Sequence, residues 1–104
     1  MGVLRYDGVG AEFDDRLLAH LQIVIVQRLR TNRSFLMSWL SGSGGRASIW
    51  VHAHSSLRFT FDGSRAPSVD EQWLRRLGES ADGPRGLVVV DELGNPVRAS
   101  GGAR

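Results

Sequence analysis

Ser34-Phe35-Leu36-Met37-Ser38-Trp39-Leu40, Arg46-Ala47-Ser48-Ile49-Trp50-Val51-His52 and Leu57-Arg58-Phe59-Thr60-Phe61 decide the fold, because in each an apolar residue recurs at every second position. That period is the period of a strand, and it sorts side chains onto two faces. Phe35, Met37 and Trp39 share one face, as do Ala47, Ile49 and Val51, and Leu57, Phe59 and Phe61; these are the expected core positions. Ser41-Gly42-Ser43-Gly44-Gly45 and Ala53-His54-Ser55-Ser56 read as the connections between them.

Outward from this centre the pattern changes. Upstream, Val3 to Tyr6 and Ala11 to Phe13 flank Asp7-Gly8-Val9-Gly10, the signature of a β-hairpin. Asp14 or Asp15 then caps a helix whose Leu17, Leu18, Leu21, Val24, Ile25 and Leu29 fall on one side, and Arg28, Arg30 and Arg33 close it at the negative end of its dipole. Ile23 and Val26 point away from that stripe and call for a cover, from a terminal segment or a second subunit. Downstream, Ser68 and Glu71 match a capping box, and Val69, Trp73, Leu74 and Leu77 give the second helix an apolar stripe. Leu87 to Val90 is a continuous apolar run suited to an interior strand.

The order is ββαβββαβ, and the short links favour antiparallel pairing. The fold class implied is α+β: a two-layer sandwich, with a mostly antiparallel sheet of about five or six strands and two helices on one face. Residues 1–91 form a single domain in this reading, and 92–104, polar and rich in glycine, form a flexible tail.

Composition narrows the function. The chain has 104 residues and no cysteine, which removes disulfides, thiol nucleophiles and zinc knuckles. No stretch approaches the ~18 apolar residues of a membrane span, and no signal peptide opens the chain, so the expectation is a cytoplasmic protein without membrane contact. The pI near 10.4 overstates the basic character, since the formal charge is only +2 and all thirteen basic residues are arginine.

Tyr6-Asp7-Gly8, Glu12-Phe13-Asp14-Asp15-Arg16, Ala19-His20-Leu21-Gln22, Ser34-Phe35 through Ser38-Trp39, Ile49-Trp50-x-His52, Phe59-x-Phe61-x-Gly63-Ser64-Arg65-x-Pro67, Trp73 and Gly86-Leu87 together resemble a family of small actinobacterial proteins of unknown function. Members of that family often carry the label "ATP-dependent DNA ligase". Ligases of that kind need the lysine of a K-x-D-G motif as nucleophile, and this chain contains no lysine. Arg5-Tyr6-Asp7-Gly8 offers only a guanidinium there, which stays protonated and cannot attack a phosphate. Covalent adenylation is therefore excluded, and Asp7-Gly8 reads as turn chemistry.

His52-Ala53-His54 has a spacing that metals use, but no third ligand is evident, so neither a metal nor a cofactor is expected. Asp14-Asp15 and Asp70-Glu71 sit where helix starts want acids, and no residue is assigned a catalytic role. The remaining feature is the second face of the central strands, where Arg46, Ser48, Trp50 and His52 are expected to lie beside Arg58 and Thr60. An aromatic flanked by arginines on an open sheet stacks bases or grips a protein, the alternative being that a terminal segment or a dimer contact covers Trp50. The sequence thus points to a non-catalytic binding or protein-interaction module, homodimeric through this face or through Ile23 and Val26. A nucleic-acid-associated accessory protein is the alternative, and a small enzyme of unknown reaction the last choice.

Overall fold

Asp7 and Gly8 both take positive φ, 49° and 90°, which is the two-residue turn whose twist matches that of antiparallel strands. They join β1 (Gly2–Tyr6) to β2 (Val9–Phe13), paired from Gly2↔Phe13 to Tyr6↔Val9. The computed structural model describes residues 1–100. After the hairpin come α1 (Asp15–Arg30), β3 (Phe35–Ser41), β4 (Arg46–Val51), β5 (Leu57–Thr60), α2 (Glu71–Ala81), β6 (Leu87–Val88) and β7 (Arg98–Ala99). The α+β class is as expected, with two helices and a strand order that continues past the expected pattern by one strand.

The strands do not form one sheet. β2-β1-β5 is one antiparallel sheet, and β4-β3-β6 is another, with β7 also on β3. β4 and β5 are consecutive in the chain yet lie in different sheets, because the link between them carries β5 onto β1, where the Asp7 N–H donates to the Ser56 carbonyl at 3.1 Å and the Asp7 carboxylate accepts from the Ser56 N–H. β6 and β7 run parallel to β3, since α2 intervenes as the crossover that a parallel pairing requires. The two sheets meet where the Glu12 N–H donates to the Ser100 carbonyl and Phe13 packs edge-to-face on Trp39 at 5.5 Å.

One core serves both sheets and both helices. Leu18, Leu21 and Ile25 of α1, Met37 of β3, Leu77 of α2 and Leu87 of β6 are fully buried in it, each contributing about 1.5–3 kcal/mol of transfer free energy. Phe35, Trp39, Ala47 and Val51 are buried as the alternation requires, and Ile49, Leu57, Phe59 and Phe61 pack half-buried at its margin. α1 lies against β1, α2 lies on β3 and β6, and the helices touch each other.

Three expectations are corrected. The N-cap of α2 is Asp70, not Ser68: its carboxylate accepts from the Gln72 and Trp73 N–H groups, and Val69 is left exposed. Residues 92–100 are not a free tail, because Gly94 turns the chain at φ 90° and β7 then pairs with Leu40 and Ser41; the part of that expectation on 101–104 lies outside the described residues. Leu87 to Val90 gives a strand of only two residues, since Val90 instead bridges Pro96. Among the described residues no helix is long and apolar enough to cross a membrane.

Candidate binding surface

The β3–β4 hairpin sets the geometry of an uncovered sheet face. The Ser41 N–H donates to the Gly45 carbonyl at 2.8 Å, so 41/45 is a hydrogen-bonded pair of the ladder. By the alternation of antiparallel pairing, Leu40↔Arg46, Ser38↔Ser48 and Leu36↔Trp50 are then the non-hydrogen-bonded pairs, in which side chains stand closest. The hydroxyls of Ser38 and Ser48 accordingly touch at 2.9 Å. All of these side chains point away from the core, whose own side of the hairpin carries Phe35, Met37, Trp39, Ala47 and Val51.

Because both helices and the other sheet pack on the core side, this outer face meets solvent. Trp50 is 54% exposed and Leu36 36% exposed, side by side across the ladder. A groove of ≈ 930 Å³ runs past Leu36, Ser38, Ser48, Arg46, Arg85 and Val88. A second hollow of ≈ 420 Å³ shares Leu36 and continues beneath Trp50 toward Arg28, Arg33 and Asp82. In that hollow two arginines share one carboxylate: Arg28 donates to the Gly78 carbonyl at 2.7 Å and to Asp82 at 3.1 Å, and Arg33 donates to the other Asp82 oxygen at 3.1 Å. Arg46 and Arg85 are exposed and form no salt bridge among the described residues.

The expected site residues divide. Arg46 and Trp50 share this face, and His52 sits half-buried at its end, with its Nδ1 accepting from the His54 N–H at 3.1 Å and the two rings 6.2 Å apart. Arg58 and Thr60 do not belong to it; they project from the outer face of the other sheet, where Arg58 stands directly opposite Arg5. Ile23 is half-buried and Val26 exposed, and no element covers Val26. Leu36 and Arg85 complete the surface, although nothing in the sequence placed Arg85 near Trp50.

The carboxylates are engaged in structure. Asp15 accepts from the Gly63 and Asp62 N–H groups, which hold it below the usual carboxylate range and tie α1 to the turn after β5. The Trp73 N–H, ahead of other partners, does the same for Asp70, and the Asn95 N–H does so for Asp91. His20 is fully buried between the helices: its Nδ1 lies 2.7 Å from the Arg16 carbonyl, its Nε2 accepts from the Asp70 N–H at 2.9 Å, and its ring stacks on Trp73 at 4.3 Å. Its position among Leu17, Leu21 and Val24 on one helical face was the sequence signal for that role. Arg5-Tyr6-Asp7-Gly8 forms the first hairpin, with the Arg5 side chain lying across Gly10.

Fold and surface together define a small α+β domain with an open sheet face that combines an aromatic residue and arginines without a salt bridge among the described residues. The chain belongs to the family described as "Domain of unknown function (DUF7882)", which it matches over residues 1–92. No curated protein and no solved structure matches it.

Proposed function

We propose that this domain is a non-catalytic binding module and that its contact surface is the outer face of the β4-β3-β6 sheet. The observation that carries the reading is Trp50, more than half exposed and paired with Leu36 on a face no helix covers. Half-exposed tryptophan beside apolar and arginine neighbours has the make-up of an interaction hot spot. A photo-reactive benzoylphenylalanine in place of Trp50 is expected to trap one defined partner in the producing cell. The same group in place of Arg65, on the exposed turn after β5, is expected to trap none; equal trapping from both positions defeats the reading.

One observation favours a nucleic acid as that partner: Arg46 and Arg85 stand on the surface and form no salt bridge among the described residues. Bases stacking on Trp50 with phosphates at these arginines would follow the usual mode of single-strand binding. Titration of a single-stranded oligonucleotide, read by the fluorescence of Trp50, is expected to weaken steeply with salt. Binding indifferent to salt, or no binding, removes this version and leaves a protein partner.

A further inference from the structure

Among the described residues, β4 is an edge strand that no strand pairs on its far side. Its sheet runs β4-β3-β6, so its far side has no strand beside it. The ladder fixes which residues face that open side. Since Ala47, Ile49 and Val51 exchange hydrogen bonds with β3, the N–H and carbonyl groups of Arg46, Ser48 and Trp50 point outward. Two bonds confirm the alternation independently. The Leu40 N–H donates away from β4 to the Val97 carbonyl, and the Trp50 carbonyl accepts the Tyr6 hydroxyl from the open side. Natural edges are blunted by charged side chains, proline or a bulge; over Arg46–Val51, β4 has no proline and no bulge, and Arg46 is its single charged residue.

We propose that β4 pairs antiparallel with β4 of a second copy of this chain, about a two-fold axis at Ser48, joining the two β4-β3-β6 sheets into one. In that register Ser48 faces its own copy, and Arg46 of each chain lies directly opposite Trp50 of the other, on the same outer face. The outward amides of Arg46, Ser48 and Trp50 then all meet carbonyls, including that of Trp50, whose second lone pair remains beside the Tyr6 bond. Neighbouring registers lack this complementarity: an axis at Arg46 opposes two guanidinium groups, and an axis at Trp50 sets Arg46 against His54. Each guanidinium over an indole contributes a cation–π contact, twice by symmetry. The pairing uses the edge of the strand rather than its face, so it stands whether or not the outer face binds a further partner, and it would double that face.

The chain has no cysteine, so a single introduced thiol reports cleanly on the axis. Light scattering of the full chain over a dilution series is expected to show a dimer. With Ser48→Cys, a short bis-maleimide is expected to link two copies in high yield by thioether formation at each end, whereas Ser64→Cys, on an exposed turn, gives none. Ser48→Pro removes an amide that β3 does not use and is expected to give a folded monomer by circular dichroism, and Trp50→Ala or Arg46→Ala to weaken the dimer about fivefold. A chain that remains monomeric at its highest soluble concentration overturns the proposal, as does a dimer that Ser48→Cys fails to cross-link. Because Trp50 stands opposite Arg46 of the second copy, photo-trapping at Trp50 that yields only the dimer of this chain, with the cross-link at Ser48 intact, would instead count against the binding face alone.

Discussion

Trp73 is 5% exposed, stacks on His20 at 4.3 Å and donates its indole N–H to the Val90 carbonyl at 3.0 Å, whereas Trp50 is 54% exposed and its indole N–H has no partner among the described residues. The first is a joint. Arg16 lies over it at 5.4 Å, and through His20 and Asp70 it holds the start of α2 against α1. The second adds little to the fold, since more than half of it stays in solvent. The comparison teaches that an indole held by polar partners can join two helices, whereas one left without them on an open face meets solvent.

Removing each indole should show this difference most plainly. Trp73→Ala is expected to cost about 3–5 kcal/mol, read from urea denaturation, while Trp50→Ala, compared at a dilution where both chains are monomeric, stays within about 0.5 kcal/mol of the parent. Equal losses would erase the distinction. Next in size is His20→Leu, which keeps the volume but leaves the buried Asp70 N–H without its acceptor, at a cost of about 1–3 kcal/mol by the same measurement.

Acid sharpens the contrast from another side. Asp15, Asp70 and Asp91 are held below the ordinary carboxylate pKa by backbone N–H groups, so each contributes stability that is complete above about pH 4 and is lost as the pH falls through the lowered value. Thermal melts are therefore expected to decline below pH 4, and Asp15→Asn to decline less steeply, because the neutral amide has no proton to take up there. The smallest effect is spectroscopic. Iodide should quench a single component of the emission, and Trp50→Phe should abolish that component, since Trp39 and Trp73 are buried. Quenching that survives the substitution would mean that a buried indole is reached by solvent.

Alternation in the central segments was enough to say which residues enter the core, because period-two spacing is a local property of a strand. It could not say which strand lies beside which. Arg58 and Thr60 share the phase of Trp50, yet they belong to the other sheet, because the contact of Asp7 with Ser56 that directs β5 to β1 spans distant parts of the chain. The cap of α2 was misplaced for a related reason: Ser68 and Glu71 fit the motif, but Asp70 is anchored by His20 from the other helix. Gly86 shows the opposite case. Its φ of 73° and the 2.3 Å at which a Cβ would meet the Leu36 carbonyl require glycine, and its place before an apolar run gave no hint of that closeness.

The β1–β2 and β3–β4 hairpins can close as soon as their short turns form, but β1 acquires β5 only after α1 and both strands of the second hairpin have been laid down, and β3 acquires β6 only after α2. Such remote pairings pay the entropy of closing long loops before they gain any contact, which places folding in the slow part of the range for chains this size. Until those late partners arrive, both hairpins carry bare flanks, so the time spent half-assembled, more than final stability, sets how readily copies of this chain adhere to one another while folding.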